Sequence, residues 1–418
     1  MHRRPGSTTL AQAARDAIRA GAATPDHCGM QTADLPLPDA TALAHSARVV
    51  RAVREAIAQT DGWIPFARYM EIALHAPGLG YYAAGAAKLG AAGDFTTAPE
   101  MTPLFGAALA TQVEAILRAG SGRDILELGA GTGRLARDLL LALGEGGALP
   151  TRYAILELSP DLASRQRATL QALPPEVFSR VEWLSTLPAA IEGAILANEV
   201  LDAVPVHLVR RQDGRYLERG VDEDERQGTL AWADRPAPEW LAALARKRFP
   251  AAGDYASEIN PAAEALVEEL GRILVRGAVL LIDYGFGTGE YYHPQRDMGT
   301  LVCHYRHRVH HDPLRWPGLC DITAHIDFGA IAEAGERAGL EVAGFAAQAP
   351  FLLGCGVLER LAATGAPDST AYIRAASAVQ RLLSPAEMGE LFKVLALARG
   401  DGIDWPGFAV VDRRHRLG

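Results

Sequence analysis

Runs of apolar residues alternate with polar, glycine-bearing gaps along most of the 418-residue chain, and the period of each run predicts its element. Over residues 47–58 the positions Val49, Val50, Val53 and Ile57 recur at helical spacing, the mark of an amphipathic helix. A second helix is predicted over 64–75, stopped by the breaker Pro77-Gly78. Strand-like runs follow at 124–128, 153–158, 181–184, 194–197 and 279–283, with helical stretches at 135–143 and 162–170 between the earlier ones. That βαβ rhythm predicts an α/β fold, a Rossmann-like doubly wound parallel sheet. Asp213-Gly214 between two β-prone runs reads as a tight hairpin, and hence an antiparallel insertion at about 207–260 after the fourth strand. The acidic run from Asp222 to Glu225 reads as a solvated loop, and Asn260-Pro261 as the cap of a helix over 262–274. Residues 1–45, rich in Ala, Gly, Pro and Thr and weakly periodic, read as a flexible extension with a short helical stretch near 10–20. Residues 46–120 then form an N-terminal helical region, and 121–418 the main domain.

The first strand runs into the most informative stretch of the chain, Ile125-Leu126-Glu127-Leu128-Gly129-Ala130-Gly131-Thr132-Gly133. Glycines at alternate positions before a helix start let a ligand approach bare backbone. A dinucleotide fingerprint wants its third glycine at 134, which is Arg134. Glu127, two residues before Gly129, suits a cationic, amino-acid-like ligand better than a pyrophosphate. The motif therefore points to S-adenosylmethionine (SAM), against an ordinary glycine turn as the plainer alternative. Doubly wound sheets bind ligands at the carboxyl ends of their strands. The second strand ends in Glu157-Leu158-Ser159, and Glu157 can accept hydrogen bonds from both hydroxyls of a ribose; Ser159 with Pro160 better explains the cap of the next helix. The fourth ends in Asn198-Glu199-Val200-Leu201-Asp202. Glu199 and Asp202 suit a guanidinium through paired, charge-assisted hydrogen bonds, or else they cap a helix N-terminus.

Composition narrows the picture. The net charge of −9 argues against a general nucleic-acid binder, and no apolar run reaches the length of a membrane span. Cys28, Cys303, Cys320 and Cys355 form no Cys-x-x-Cys pair, so neither a disulfide framework nor a zinc knuckle is expected. The His- and Arg-rich run 303–311 lacks any metal-binding spacing and reads as a substrate-contacting or structural basic loop. The Arg-bearing N-terminus has no secretory core, and its aspartates make it a poor transit peptide. A bacterial cytoplasmic protein is the expectation, with the mitochondrial matrix as the alternative.

Several motifs in one order resemble the MidA family of SAM-dependent methyltransferases, relatives of the mitochondrial complex I assembly factor that methylates arginine. They are Phe66-Ala67-Arg68-Tyr69-Met70, Pro77-Gly78-Leu79-Gly80-Tyr81-Tyr82, Gly93-Asp94-Phe95-Thr96-Thr97-Ala98-Pro99-Glu100, the glycine stretch, Glu157-Leu158-Ser159-Pro160, Asn198 to Pro205, Leu281-Ile282-Asp283-Tyr284-Gly285, and Asp321 to Phe328. The resemblance covers about residues 47–415. It implies a class I methyltransferase fold with N-terminal helices and an enlarged substrate region, with SAM as cofactor. Read alone, residues 93–100 are a helix cap; the resemblance makes Asp94 and Thr96 cofactor or active-site residues. Together with the residues already read from the sequence itself, the expected cofactor set is Asp94, Thr96, Glu127, Gly129, Gly131, Gly133, Glu157, Leu158 and Asn198, with Glu199 and Asp202 catalytic and no metal. The implied acceptor is an arginine on a protein partner, with a complex I subunit as the family's example; a homodimer is compatible with the sequence. A small molecule or RNA as acceptor, or a SAM-binding assembly chaperone with little turnover, stand as alternatives.

Overall fold

A computed structural model describes residues 35–84, 97–224, 226 and 228–418. Its centre is a sheet of seven main strands: β1 (Asp124–Leu128), β2 (Arg152–Leu156), β3 (Val181–Leu184), β4 (Ile191–Asn198), β5 (Leu274–Phe286), β6 (Glu341–Ala347) and β7 (Phe392–Arg399). They lie in the order β6-β7-β5-β4-β1-β2-β3, and the short strand Ile326–Asp327 adds to β5. All pairs are parallel except those of β7, which runs antiparallel to both neighbours. The chain therefore reverses direction across the sheet between β1 and β4, the switch point at which such sheets open a crevice. β1 shows how both faces are covered: Ile125 enters one apolar cluster with Leu139 and Leu140, while Leu126 and Leu128 enter another with Val267 and Ile331.

The helix α1 (Ala40–Ala58) buries Val49, Val53 and Ile57, as the period requires, with Val50 at the edge. It begins seven residues before the predicted start, because the Asp39 carboxylate accepts the Ala42 amide at 2.8 Å and caps a turn that carries no apolar period. Helix α2 (Phe66–His75) begins only after Pro65, since Ile64–Pro65 pair as a strand with Gly220 and Val221. The predicted hairpin is present, Asp213 and Gly214 having φ of 50° and 75°, the left-handed pair of a two-residue turn. It belongs to a five-stranded sheet that also takes in Ile64–Pro65, Thr229–Pro236 and Tyr255–Ile259.

Two loop expectations are corrected. Asp222, Glu223 and Asp224 lie in the strand Arg215–Asp224, because pairing with Thr229–Pro236 carries the ladder through them and Glu223 meets Arg54 at 3.0 Å; Glu225 lies outside the described residues. The basic run 303–311 is a hairpin, Val302–Tyr305 against Arg308–His310, and Asp321–Thr323 completes its small sheet. That sheet packs with α1 and α2 in a third core, built on Val49, Val53, Tyr69, Tyr81, Cys303 and Ile322.

Candidate active site

The glycine turn follows β1 at the switch point. Gly129, Gly131 and Gly133 have φ of 61°, 54° and 83°, so all three need the left-handed conformation that only glycine adopts without strain. Helix α3 (Arg134–Glu145) starts directly after it. The short helix Ala98–Met101 is fastened on: Thr132 donates to Glu100, and Arg134 meets the Glu100 carboxylate at 3.2 Å. Asp94 and Thr96 lie outside the described residues.

Glu157 stands just past β2, its carboxylate held on both sides. Oε1 accepts the Ser159 amide and Oε2 accepts Gln166 Nε2, each at 2.8 Å. Ser159 caps the helix α4 (Pro160–Leu170), as its sequence suggested. Leu158 beside it is 77% exposed, a leucine displayed to solvent. Glu127 is placed otherwise than expected. It is 2% exposed and accepts the Tyr153 hydroxyl at 2.7 Å, so it is enclosed rather than displayed to a ligand. Burial, reinforced by the charge of Glu157, pushes its carboxyl up to about 7 despite that hydrogen bond.

The turn after β4 is the second half of the site. Glu199 has φ 53°, a strained value for a non-glycine residue, and its amide is held by the Ile282 carbonyl at 2.9 Å. Asn198 Nδ2 donates to Glu199 Oε1 at 3.1 Å, while Asn198 Oδ1 is buried without a partner among the described residues. Asp202 is buried in the single helical turn Leu201–Ala203. Neither acid caps it. Asp283, at the end of β5, does so, accepting the amides of Leu201 and Asp202 at 3.0 and 3.2 Å. Asp321 comes from the small sheet and accepts the Tyr82 hydroxyl at 2.8 Å; His75 stacks on Tyr82 at 5.7 Å.

The half-buried Glu199 and the buried Asp202, Asp283 and Asp321 thus form one acidic cluster. Burial is the main cause that raises the first three, Glu199 to about 8 and Asp283 to about 7, with Asp202 also well above its ordinary value. Next in weight for both Glu199 and Asp202 comes the carboxylate of Asp283; Asp321 follows directly for Asp202, but for Glu199 only after the lowering hydrogen bonds from Asn198 and the Ala98 amide. Such a pocket resists full ionisation until a cation arrives. Sequence reasoning missed Asp283, Asp321 and Tyr82 as site residues. Asp283 had one usable signal, an acid ending an aliphatic run beside the switch point; Asp321 and Tyr82 had none local to them.

The family model described as "Putative S-adenosyl-L-methionine-dependent methyltransferase" matches residues 104–346, more than half of the chain. The chain belongs to this methyltransferase family. A crystal structure from Burkholderia thailandensis with S-adenosyl-homocysteine bound is similar at 48% identity and TM-score 0.87, covering 91% of this chain and all of that one. The Drosophila melanogaster "Protein arginine methyltransferase NDUFAF7 homolog, mitochondrial" is 29% identical over 402 residues, covering 87% of this chain and 88% of the relative. The Homo sapiens "Protein arginine methyltransferase NDUFAF7, mitochondrial" is 28% identical, with 81% of each covered.

This methyltransferase therefore has the class I fold and uses SAM as its cofactor. The residues present fit that cofactor. The turn exposes backbone with no Cβ in the way, and the Glu157 oxygens each keep an acceptor site beyond the one already filled. Asn198 Oδ1, buried and unmatched, suits a donor such as an ammonium group.

Proposed function

We propose that this methyltransferase transfers the methyl of SAM to the guanidinium nitrogen of an arginine on a protein partner. The acidic cluster carries the reading, since four carboxylates from three segments converge where one cationic side chain would neutralise them. The relatives named as protein arginine methyltransferases agree with it. A complex I subunit is the partner that the family resemblance suggests, in a cytoplasmic or matrix setting consistent with buried Cys303, Cys320 and Cys355, which form no disulfide among the described residues.

SAM supplies an electrophilic methyl group on a sulfonium. Glycines 129, 131 and 133 give it a backbone surface, Glu157 its ribose contact, Leu158 an apolar neighbour, and Asn198 a polar partner for its amino-acid end, with Glu127 enclosed behind the turn. Glu199 and Asp202 hold the guanidinium by charge-assisted hydrogen bonds and turn one nitrogen toward the methyl. Glu199, at about 8, is matched to receive the proton that the nitrogen loses. The described residues of the N-terminal region, Tyr82 and Glu100 among them, then close one side of the site, and the strands His207–Gln212 and Arg215–Asp224 of the insertion shape the approach of the partner.

The test is to incubate the purified protein with isotopically labelled SAM and a cell extract. Label on arginine of one protein, located by mass spectrometry, is the expected result. Label in RNA or a metabolite, or tight SAM binding with no transfer, would overturn it.

A further inference from the structure

Gln166 is a buried polar side chain that none of this chemistry uses. It lies on α4, is 0% exposed, and spends its amide on three separate elements. Nε2 donates to the Gly131 carbonyl at 3.1 Å and to Glu157 Oε2 at 2.8 Å. Oε1 accepts the indole N–H of Trp183, on β3, at 3.0 Å. The orientation of the amide is fixed by chemistry, because an indole only donates and a carboxylate and carbonyl only accept. The backbone is equally close: a Cβ on Gly133 would lie 3.1 Å from Gln166 Cα.

We infer that Gln166 is a positioning residue for the adenosine half of the cofactor, locking the Glu157 carboxylate and the glycine turn into one frame. The inference rests on the assignment of Glu157 to the ribose diol. An unrestrained carboxylate turns freely about its last torsion, whereas bidentate recognition of two adjacent hydroxyls demands one plane. With Ser159 on one oxygen and Gln166 on the other, that plane is set before the ligand arrives, so its ordering cost is removed from binding. The same amide keeps the turn from drifting away from the acid through the Gly131 carbonyl.

Calorimetry on the full chain tests this with two probes, S-adenosylhomocysteine and its 2′,3′-dideoxy analogue. Gln166→Met keeps the volume and removes both donors. It is expected to weaken S-adenosylhomocysteine by roughly 10- to 100-fold, the range for losing a hydrogen bond to a charged group, and the dideoxy analogue far less. Gln166→Glu keeps the shape and the acceptor for Trp183 but sets a second carboxylate against Glu157. Its affinity is expected to recover as the pH is lowered, when the introduced carboxyl, raised by burial and by the neighbouring Glu157, takes a proton and donates again. Wild-type affinity in Gln166→Met, equal losses for both probes, or no recovery at low pH would each overturn the inference. Glu157→Gln separates the two claims. If it binds S-adenosylhomocysteine normally, the ribose assignment itself fails; if it weakens binding while Gln166→Met does not, only the role of Gln166 fails.

Discussion

The two ends of the site are built on opposite principles. At the cofactor end, residues 125–166 form a continuous piece of chain, and its polar groups satisfy one another through Glu157, Ser159 and Gln166. At the end proposed to take the acceptor, Glu199, Asp202, Asp283 and Asp321 come from three separate stretches and crowd like charges together. A hydrogen-bonded frame is stable empty and presents a fixed surface. A cluster of buried acids is stable only part-protonated, and becomes complete when a cation enters. On the proposed reading, the first arrangement recognises by shape and the second by charge.

The largest effect should come from breaking the frame. Gly131 sits at φ 54°, where a β-branched side chain is strongly disfavoured and would also fill the space a ligand needs. Gly131→Val is expected to abolish S-adenosylhomocysteine binding in calorimetry while the protein still unfolds cooperatively. Retained affinity would show that the ligand does not use this turn.

Next comes the charge itself. Glu199→Gln keeps the shape and the contact with Asn198 but removes a charge that would hold a guanidinium, at a cost of about 1.5–3 kcal/mol or roughly 10- to 150-fold in turnover. Asp202→Asn should act in the same direction more mildly. Both should bind S-adenosylhomocysteine nearly as the wild type does. Single-turnover transfer measured beside cofactor affinity decides the matter, and wild-type rates in both variants would reduce these acids to structural groups.

The contrast between the ends also explains what could be read in the sequence. β1 and β3 match their predicted bounds because short β-prone runs there are closed by clear turn residues. β6 and β7 were not foreseen, since Phe392-Lys393-Val394-Leu395-Ala396-Leu397-Ala398 is buried on both faces and shows no alternation. The glycine turn and Glu157 were legible because they belong to one local βαβ unit. Gln166 was not, since on its polar helix nothing local distinguishes it. Asp321 reaches the cluster only through the register of the small sheet, where it pairs with His304, and such pairing leaves no mark in a single sequence.

Acidity offers a subtler probe. Glu199 and Asp283 are held at about 8 and 7, above the ordinary carboxylate range. Groups raised in the folded state stabilise it fully below their unfolded values, near 4, and lose that contribution as the pH rises through 7 to 8. The ligand-free protein should therefore unfold at lower denaturant as the pH rises from 5 to 9, with a shallower slope in Glu199→Gln. Affinity for an arginine-bearing acceptor peptide should change in the opposite sense and tighten over the same range, because the ionised form is the one that binds the cation. A flat stability profile, the same in wild type and variant, would mean that these acids ionise as freely as surface carboxylates.

The smallest effect should come from the rim of the acidic end. Tyr82 donates to Asp321 at 2.8 Å and is backed by the His75 ring, itself tied to the Ala203 carbonyl at 3.0 Å. Tyr82→Phe keeps the ring and the stack and deletes one hydrogen bond, worth about 1 kcal/mol or some fivefold. That loss should fall on the acceptor alone: a rise in its KM of a few-fold, with S-adenosylhomocysteine affinity and the melting temperature nearly unchanged. The reason is positional, since Tyr82 touches the acidic cluster through Asp321, whereas the glycine turn is held by Glu100, Gln166 and the ends of β1 and β2. If cofactor affinity fell in step with acceptor affinity, the two ends would be mechanically one, and the division between a frame that recognises shape and a cluster that recognises charge would not hold.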